Sequence, residues 1–402
     1  MNWNFKKFNP YIILFTLLLI PFTAYFYRPD FIGFDPYGFL LLTCKTSNAA
    51  GITGIPYSIF TTLPCNFLAL KAILFTLAFI SGCFIIKLSQ LFSPKHGWRA
   101  SYLIFLSSVY VLEFSKLENE AFAFPLLFAS AYLFFKGLKT VKNSRTNYLT
   151  AFALLILAGL IWKGSIFYLI GYLLNLGLLL FALLPFLAIP FNGNFLHWKN
   201  LLENIIGTSI ISEDLPFKFH RHFALNPGLI GAILNPILAP QTILYFALGT
   251  ISSKYWILSL PFLVTGLVIV HQKLSNTPKF ESRHSTFLDK IFQKAINFFE
   301  QNHTQIFAIV ALFTTIAVTQ TVLLGEPQQS QWNAIDYALA LDNNVGADWD
   351  IGYWILYRGG QTESFQSPFR QQPFLPGQIV ITQQDNNCSK IKSFEDFNVM
   401  RC

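Results

Sequence analysis

The chain has 402 residues, 53% of them hydrophobic and only 12% charged, against about 25% charged in an average soluble domain. Several apolar runs reach the roughly 20 residues that cross a bilayer core, which excludes a soluble protein and predicts an all-α polytopic membrane protein, because such runs satisfy their own backbone in lipid only as helices. The net charge of +8 sits in short connections: Lys87, Lys95 and Arg99; Lys136, Lys139, Lys142 and Arg145; Lys273, Lys279, Arg283, Lys290 and Lys294. It reads as membrane orientation, with these connections cytoplasmic, and not as a footprint for nucleic acid.

In chain order, residues 11–27 follow Lys6 and Lys7 as a signal peptide would, but Pro21 and the bulky residues after it make a poor cleavage site, so a retained first helix is expected. Residues 28–65 form a first outside loop, and 66–90 return to the cytoplasm. Residues 100–114 go out as a span shortened by Glu113, 115–120 make a short outside turn, and 121–136 go back in. Residues 148–191 are almost continuously apolar, broken at Trp162-Lys163-Gly164 and at Pro185. Residues 192–228 form a polar, acidic outside loop. Residues 229–248, with Pro236 and Pro240 inside and Pro227 just before, read as a broken or re-entrant segment. Residues 254–271 and 304–324 are plain spans around a basic cytoplasmic loop. The expectation is seven or nine spans in a membrane domain over 1–324, then a small soluble extracytoplasmic α/β or α domain over 325–402. Of five cysteines, Cys44 and Cys65 share the first outside loop and Cys388 and Cys402 share the tail. Either pair could form a disulfide, and the absence of a CxxC spacing argues against zinc.

Four outside features carry chemistry. Phe34-Asp35-Pro36-Tyr37 places a carboxylate where a membrane helix meets water, a costly position without a role or a partner. The plainer reading pairs Asp35 with Arg28. Glu118-Asn119-Glu120 sets two carboxylates and an amide in a short turn, hard oxygen ligands suited to Mg²⁺ or Mn²⁺. The plainer reading is a helix N-terminus that favours acidic residues. Thr208 to Asp214 is an acidic loop holding Glu213, with His220, Arg221 and His222 behind it. Asp348-Trp349-Asp350-Ile351-Gly352-Tyr353-Trp354 is an aromatic-acidic turn suited to a peptide or sugar, or else Trp349 and Trp354 are simply the core of a small domain.

In this order the features resemble the catalytic subunit of oligosaccharyltransferase, a GT-C membrane glycosyltransferase. Phe34-Asp35-Pro36-Tyr37 is similar to that family's first-loop acidic motif, and Leu117-Glu118-Asn119-Glu120-Ala121 to its second. Ile211-Ser212-Glu213 resembles its loop glutamate, Ile161-Trp162-Lys163-Gly164 a Trp-x-Gly stretch of its membrane domain, and Asp348-Trp349-Asp350-Ile351-Gly352 its Trp-Trp-Asp-Tyr-Gly signature. The departures are Asp348 for the first signature Trp, Ile351 for its Tyr, Glu118 for an Asp, and a shorter tail.

The resemblance implies a glycan donor on a polyprenyl phosphate or diphosphate and a divalent Mn²⁺ or Mg²⁺ held by Asp35, Glu118 and Glu120. Asp35 and Glu213 would act on an acceptor asparagine, Trp349 and Asp350 would bind the acceptor polypeptide, and His220, Arg221 and His222 are candidates for the donor phosphate. Lys163 reads as a snorkelling side chain. Two alternatives remain: a GT-C transferase acting on a lipid, glycan or Ser/Thr hydroxyl, and a non-catalytic transporter of lipid-linked sugars. Against the transporter, the acidic residues gather at one face rather than at the bilayer midplane. The chain is expected in the cell membrane, acting as a single subunit.

Overall fold

The computed structural model describes residues 9–33, 35–44, 57–140, 143–177, 225–251, 256–276, 287–325, 327–347, 351–362, 374, 376–382, 388–394 and 397–402. The first helix, α1 (Pro10–Tyr27), starts where Asn9 Oδ1 accepts the Tyr11 N–H at 3.0 Å and stops where Arg28 turns to extended backbone. A short helix, α2 (Asp35–Thr43), opens the first outside loop, and α3 (Phe67–Phe92), capped by Asn66, returns through the membrane. Residues 100–114, expected as one short span, form two pieces instead: α4 (Ala100–Leu103) and α5 (Ser108–Phe114), joined through a 3₁₀ turn at Ile104–Leu106. The cause is Ser107, which takes extended backbone (φ −119°, ψ 128°) and accepts the Val109 N–H, so that the helix ends and restarts there.

Next come α6 (Asn119–Lys139), α7 (Ser144–Ile161) and α8 (Ile166–Asn175). The proline-rich 229–248 stretch is broken as expected, into α9 (Asn226–Ile233) and α10 (Ala239–Ile251). The basic connector at 272–303, expected as a loop, is largely helical. One helix, α11 (Trp256–Asn276), runs into it, and α12 (Phe287–Leu324) starts inside it and continues for 38 residues. No proline or glycine interrupts 287–324, so nothing stops the helix at the water boundary. Among the described residues six helices are long and apolar enough to cross a membrane. The acidic loop 192–228 lies outside the described residues up to position 224.

Tertiary contacts sort the helices into two ends. At one end Arg28 Nη1 donates to Val322 O at 2.9 Å and Nη2 to Pro327 O at 2.7 Å, tying the end of α1 to the end of α12. Buried Lys71, at the start of α3, donates to Tyr25 O at 3.0 Å and to Arg28 O. At the other end Lys139 Nζ donates to Leu91 O at 2.8 Å, and Arg99 Nη1 meets His271 Nδ1 at 3.2 Å. The second end holds the basic connections, and the first holds α2 and the acidic turn.

The tail is α/β. Helix α13 (Gln329–Leu341) begins in a capping box between Gln328 and Gln331, and α14 (Gly352–Tyr357) follows strand β1 (Val345–Ala347). Strands β2 (Ile379–Thr382), β3 (Ser389–Phe394) and β4 (Phe397–Arg401) complete a sheet of order β1-β2-β4-β3. Strand β1 pairs parallel to β2, and β4 pairs antiparallel to both β2 and β3. Trp332, Ile335, Trp354, Ile379, Ile381, Phe397 and Val399 are its buried core.

Both cysteine pairs are bonded, Cys44–Cys65 and Cys388–Cys402. The second follows from the β3–β4 hairpin, which pairs Ser389 with Arg401 and so brings the flanking cysteines together. The Cys388→Ser/Cys402→Ser protein is expected to lose about 2–4 kcal/mol of tail stability, measured as a lower unfolding temperature than wild type under non-reducing conditions.

Candidate active site

The site is built around α2. Asp35 is its first residue; its backbone is placed there, and its side chain is not among those described. The turn that presents it is gripped by the tail. Trp354 Nε1 donates to Gly33 O at 3.3 Å, and Trp332 Nε1 donates to Asp30 Oδ2 at 3.0 Å. The Tyr37 ring stands among Trp332, Trp354 and Tyr357, with centroids 5.4, 6.3 and 5.0 Å away. Gly38 is a glycine because a Cβ there would stand 2.9 Å from Tyr353 Cε1. Burial, with Asp30 second, pushes the Tyr37 phenol far above its ordinary value. Tyr37 therefore stays neutral and donates to Phe31 O at 3.4 Å, which removes it as a candidate base.

An aromatic chain links α2 to the acidic turn. Phe39 stacks on Phe60 at 4.3 Å, and Phe60 meets Phe122 edge-on at 5.4 Å. Phe122 lies two residues past Glu120, in the first turns of α6. Glu118 is 2% exposed and Glu120 is 5% exposed. Glu118 is the N-cap of α6, yet its carboxylate makes no cap hydrogen bond, so simple capping does not account for it. Lys116 Nζ is 3.8 Å from Glu113 Oε1 and 3.9 Å from Glu118 Oε1, one cation between two carboxylates. Asn119 Nδ2 donates to Ile161 O at 3.2 Å, which fastens this turn to the end of α7.

The next residue, Trp162, packs edge-on against Phe124 at 5.5 Å. Its ring folds over Gly164, where any Cβ would collide with it, which explains the Trp-x-Gly spacing. Lys163, between them, is exposed, as a snorkelling side chain should be.

Three of the sequence motifs, and the tail helix that follows a fourth, thus meet at one end of the helix bundle. Helix α14 begins two residues after Asp350, so the chain that grips Gly33 and Gly38 is the chain that leaves the aromatic-acidic turn. Trp354 is fully buried, as the reading of it as a core residue expects. Glu213, His220, Arg221, His222, Trp349 and Asp350 lie outside the described residues. Arg28 donates from Nη1 and Nη2 to carbonyls at and just past the end of α12; the reading of Asp35 as its partner falls on a side chain outside those described. Among the described residues no group of three His, Cys, Asp or Glu side chains forms a metal cage. The donor set described, two buried carboxylates beside one lysine, fits part of a hard-cation site.

Sequence reasoning missed Lys71 and Trp332. Lys71 carried a signal, since an ionisable residue within an apolar span is a position to explain. Trp332 carried none, because its partner Asp30 is 302 positions away.

No protein-family model matches the chain, and no curated protein sequence matches it. Solved structures do. ArnT from Cupriavidus metallidurans, bound to undecaprenyl phosphate, aligns over 97% of this chain and 97% of its own, with TM-score 0.55 and 11% identity. The oligosaccharyltransferase of Archaeoglobus fulgidus in its apo form aligns over 89% of this chain and 65% of its own, with TM-score 0.56 and 13% identity. The same organism's AglB, in complex with an inhibitory peptide and a dolichol-phosphate, aligns over 88% and 64%, with TM-score 0.51 and 13% identity. The chain therefore spans less than two thirds of the archaeal enzyme. At these identities the likeness establishes the fold, and the chain is a multi-pass membrane protein of GT-C architecture with a small α/β domain at its C-terminal end.

Proposed function

We propose that this protein is a GT-C glycosyltransferase that moves a glycan from a polyprenyl-phosphate or -diphosphate donor to an acceptor asparagine, at the membrane face where α2, the acidic turn and the tail meet. The observation that carries the reading is the convergence of the Asp35 helix, buried Glu118 and Glu120, and Trp162 at one end of a GT-C fold. The two disulfides support an extracytoplasmic location for that end, because both lie in segments assigned to it and disulfides persist in oxidising compartments.

Glu118 and Glu120, with Asp35, would hold Mn²⁺ or Mg²⁺, which would supply Lewis-acid neutralisation of charge on the leaving phosphate. Their own part is to be fixed in place beforehand. Packing by Phe60 and Phe122 and the Asn119–Ile161 hydrogen bond hold the turn, so little reorganisation accompanies reaction. Asp35 and Glu213 would accept hydrogen bonds from the acceptor amide NH₂ and draw its lone pair out of conjugation with the carbonyl. Trp349 and Asp350 would hold the acceptor's Ser or Thr hydroxyl, and His220, Arg221 and His222 the donor phosphate. The clamp from α14 onto Gly33 and Gly38 would keep acceptor and donor elements in register.

A second reading keeps the donor and changes the acceptor to a hydroxyl, with Asp35 as base. It is favoured by end-to-end alignment with ArnT, which the structure with undecaprenyl phosphate represents, against partial alignment with the oligosaccharyltransferases. The test uses purified protein, a lipid-extract donor, Mn²⁺ and a fluorescent Asn-x-Thr peptide. A gel shift that EDTA abolishes is expected. Donor consumed in an EDTA-sensitive way without a peptide shift would select the hydroxyl acceptor. A folded protein that never consumes donor would overturn both readings and leave the transporter.

A further inference from the structure

We propose that the end of the bundle opposite the candidate site holds the headgroup of an anionic phospholipid, in the groove where α3 and α6 pass each other. Lys87 Nζ on α3 and Lys136 Nζ on α6 are directed at one ring, that of Tyr132, with 6.0 and 5.7 Å to its centroid. Lys87 also lies 5.3 Å over Phe84, and the Tyr11 side chain at the start of α1 lies near Tyr132. Neither lysine has a carboxylate within ion-pair distance among the described residues. A further cation on α6, Lys139, donates to Leu91 O and lies over the face of Phe92 at 4.4 Å.

Two ammonium groups converging on one ring repel each other. The ring's negative face offsets part of that repulsion, and an anion shared between the two lysines offsets the rest.

What kind of anion follows from where the groove opens. Leu68, Ala72, Thr76, Ile80 and Lys87 form the exposed stripe of α3. The first four line the length of a membrane-crossing helix, so the stripe faces lipid, and Lys87 ends it near the basic end. A ligand at Lys87 therefore approaches from the bilayer, with acyl chains along the stripe and a phosphate between the lysines. On the proposed function this lipid is distinct from the sugar donor, whose phosphate would sit at the other membrane face; retention of the lipid is read without donor or acceptor, so its failure leaves that function untouched.

The test is native mass spectrometry of the full chain in neutral-detergent micelles titrated with phosphatidylglycerol or with phosphatidylcholine. Wild type is expected to retain phosphatidylglycerol preferentially, and inorganic phosphate at about 10 mM, where the Debye length is still about 30 Å, should not displace it. Lys87→Ala/Lys136→Ala should weaken that retention by roughly 25-fold, about 5-fold per lysine. Lys87→Arg/Lys136→Arg should restore it, and Lys163→Ala, at the other end, should leave it unchanged. Equal retention of the two lipids by wild type would overturn the proposal. So would a double-alanine variant of unchanged melting temperature that binds as wild type does, or displacement of the lipid by phosphate.

Discussion

The Glu120→Gln protein is expected to lose donor turnover by on the order of 10²–10³-fold, the loss that follows removal of one preorganised charge-stabilising group, while it stays folded. Glu118 and Glu120 are both almost fully buried, at the start of a helix whose middle is apolar. Taking carboxylates out of water is costly unless each is compensated. Lys116 compensates Glu118 while also facing Glu113, so its one charge is divided. Buried carboxylates gathered at one turn mark a candidate functional site, and an isosteric amide removes the charge while keeping the shape. The α6 dipole adds only a few tenths to about 1 kcal/mol, too little to explain two buried carboxylates.

The measurement is donor turnover at saturating Mn²⁺ beside a thermal melt. A Glu120→Gln protein that melts lower and turns over normally would make Glu120 a structural residue and return the acidic turn to its plainer reading. Chelation should act in the same direction: EDTA lowers turnover in wild type and changes little in the variant.

The Trp354→Ala protein is expected to lose about 3–5 kcal/mol of tail stability and to release the tail to protease. Trp354 is fully buried and sits between two bodies of structure. Within the tail it packs against Trp332 at 5.7 Å and Phe397 at 6.5 Å. Across to the first outside loop it packs against Tyr37 and donates to Gly33 O. Removing the ring empties the seam on both sides at once. Trp354→Phe should keep most of the packing and lose only the hydrogen bond, about 1 kcal/mol.

The two variants together separate packing from positioning. Transfer activity should fall in Trp354→Ala in step with protease sensitivity, because Asp35 begins the helix that the seam orients. A tail that stays protease-resistant without Trp354, with transfer intact, would show that the tail is held elsewhere and that α2 is oriented by the membrane helices alone. Arg28 and Lys71 would then be the next residues to test, since they fasten the ends of α1, α3 and α12 beneath it.

Much of the fold could be read from residue types. Long apolar runs with basic ends specify spanning helices and their direction, because lipid forces each run to satisfy its own backbone and lysines stay on the side where they were made. Residues 11–27 and 66–90 follow that rule closely. The rule failed where the deciding feature was weaker than hydropathy. One serine, Ser107, divides the 100–114 span, and a run without proline or glycine carried α12 through a polar connector. Hydropathy weighs whether a segment prefers lipid, not where a backbone chooses to restart.

For the site, the sequence by itself determined the list of chemical groups and their order along the chain: Asp35, the Glu118–Glu120 turn, Trp162 and the aromatic tail. Only the tertiary structure decided that these meet at one end of the bundle, that the Glu118 carboxylate is buried without capping its helix, and that the tail grips the Asp35 turn through Trp332, Tyr353 and Trp354. It also decided that both cysteine pairs close. The reason is the same in each case. A motif is local, and its residue types follow from local chemistry, whereas burial and partnership depend on contacts between segments as much as 321 positions apart, as Trp354 and Gly33 are. No local pattern encodes such contacts; the packing of the folded chain creates them.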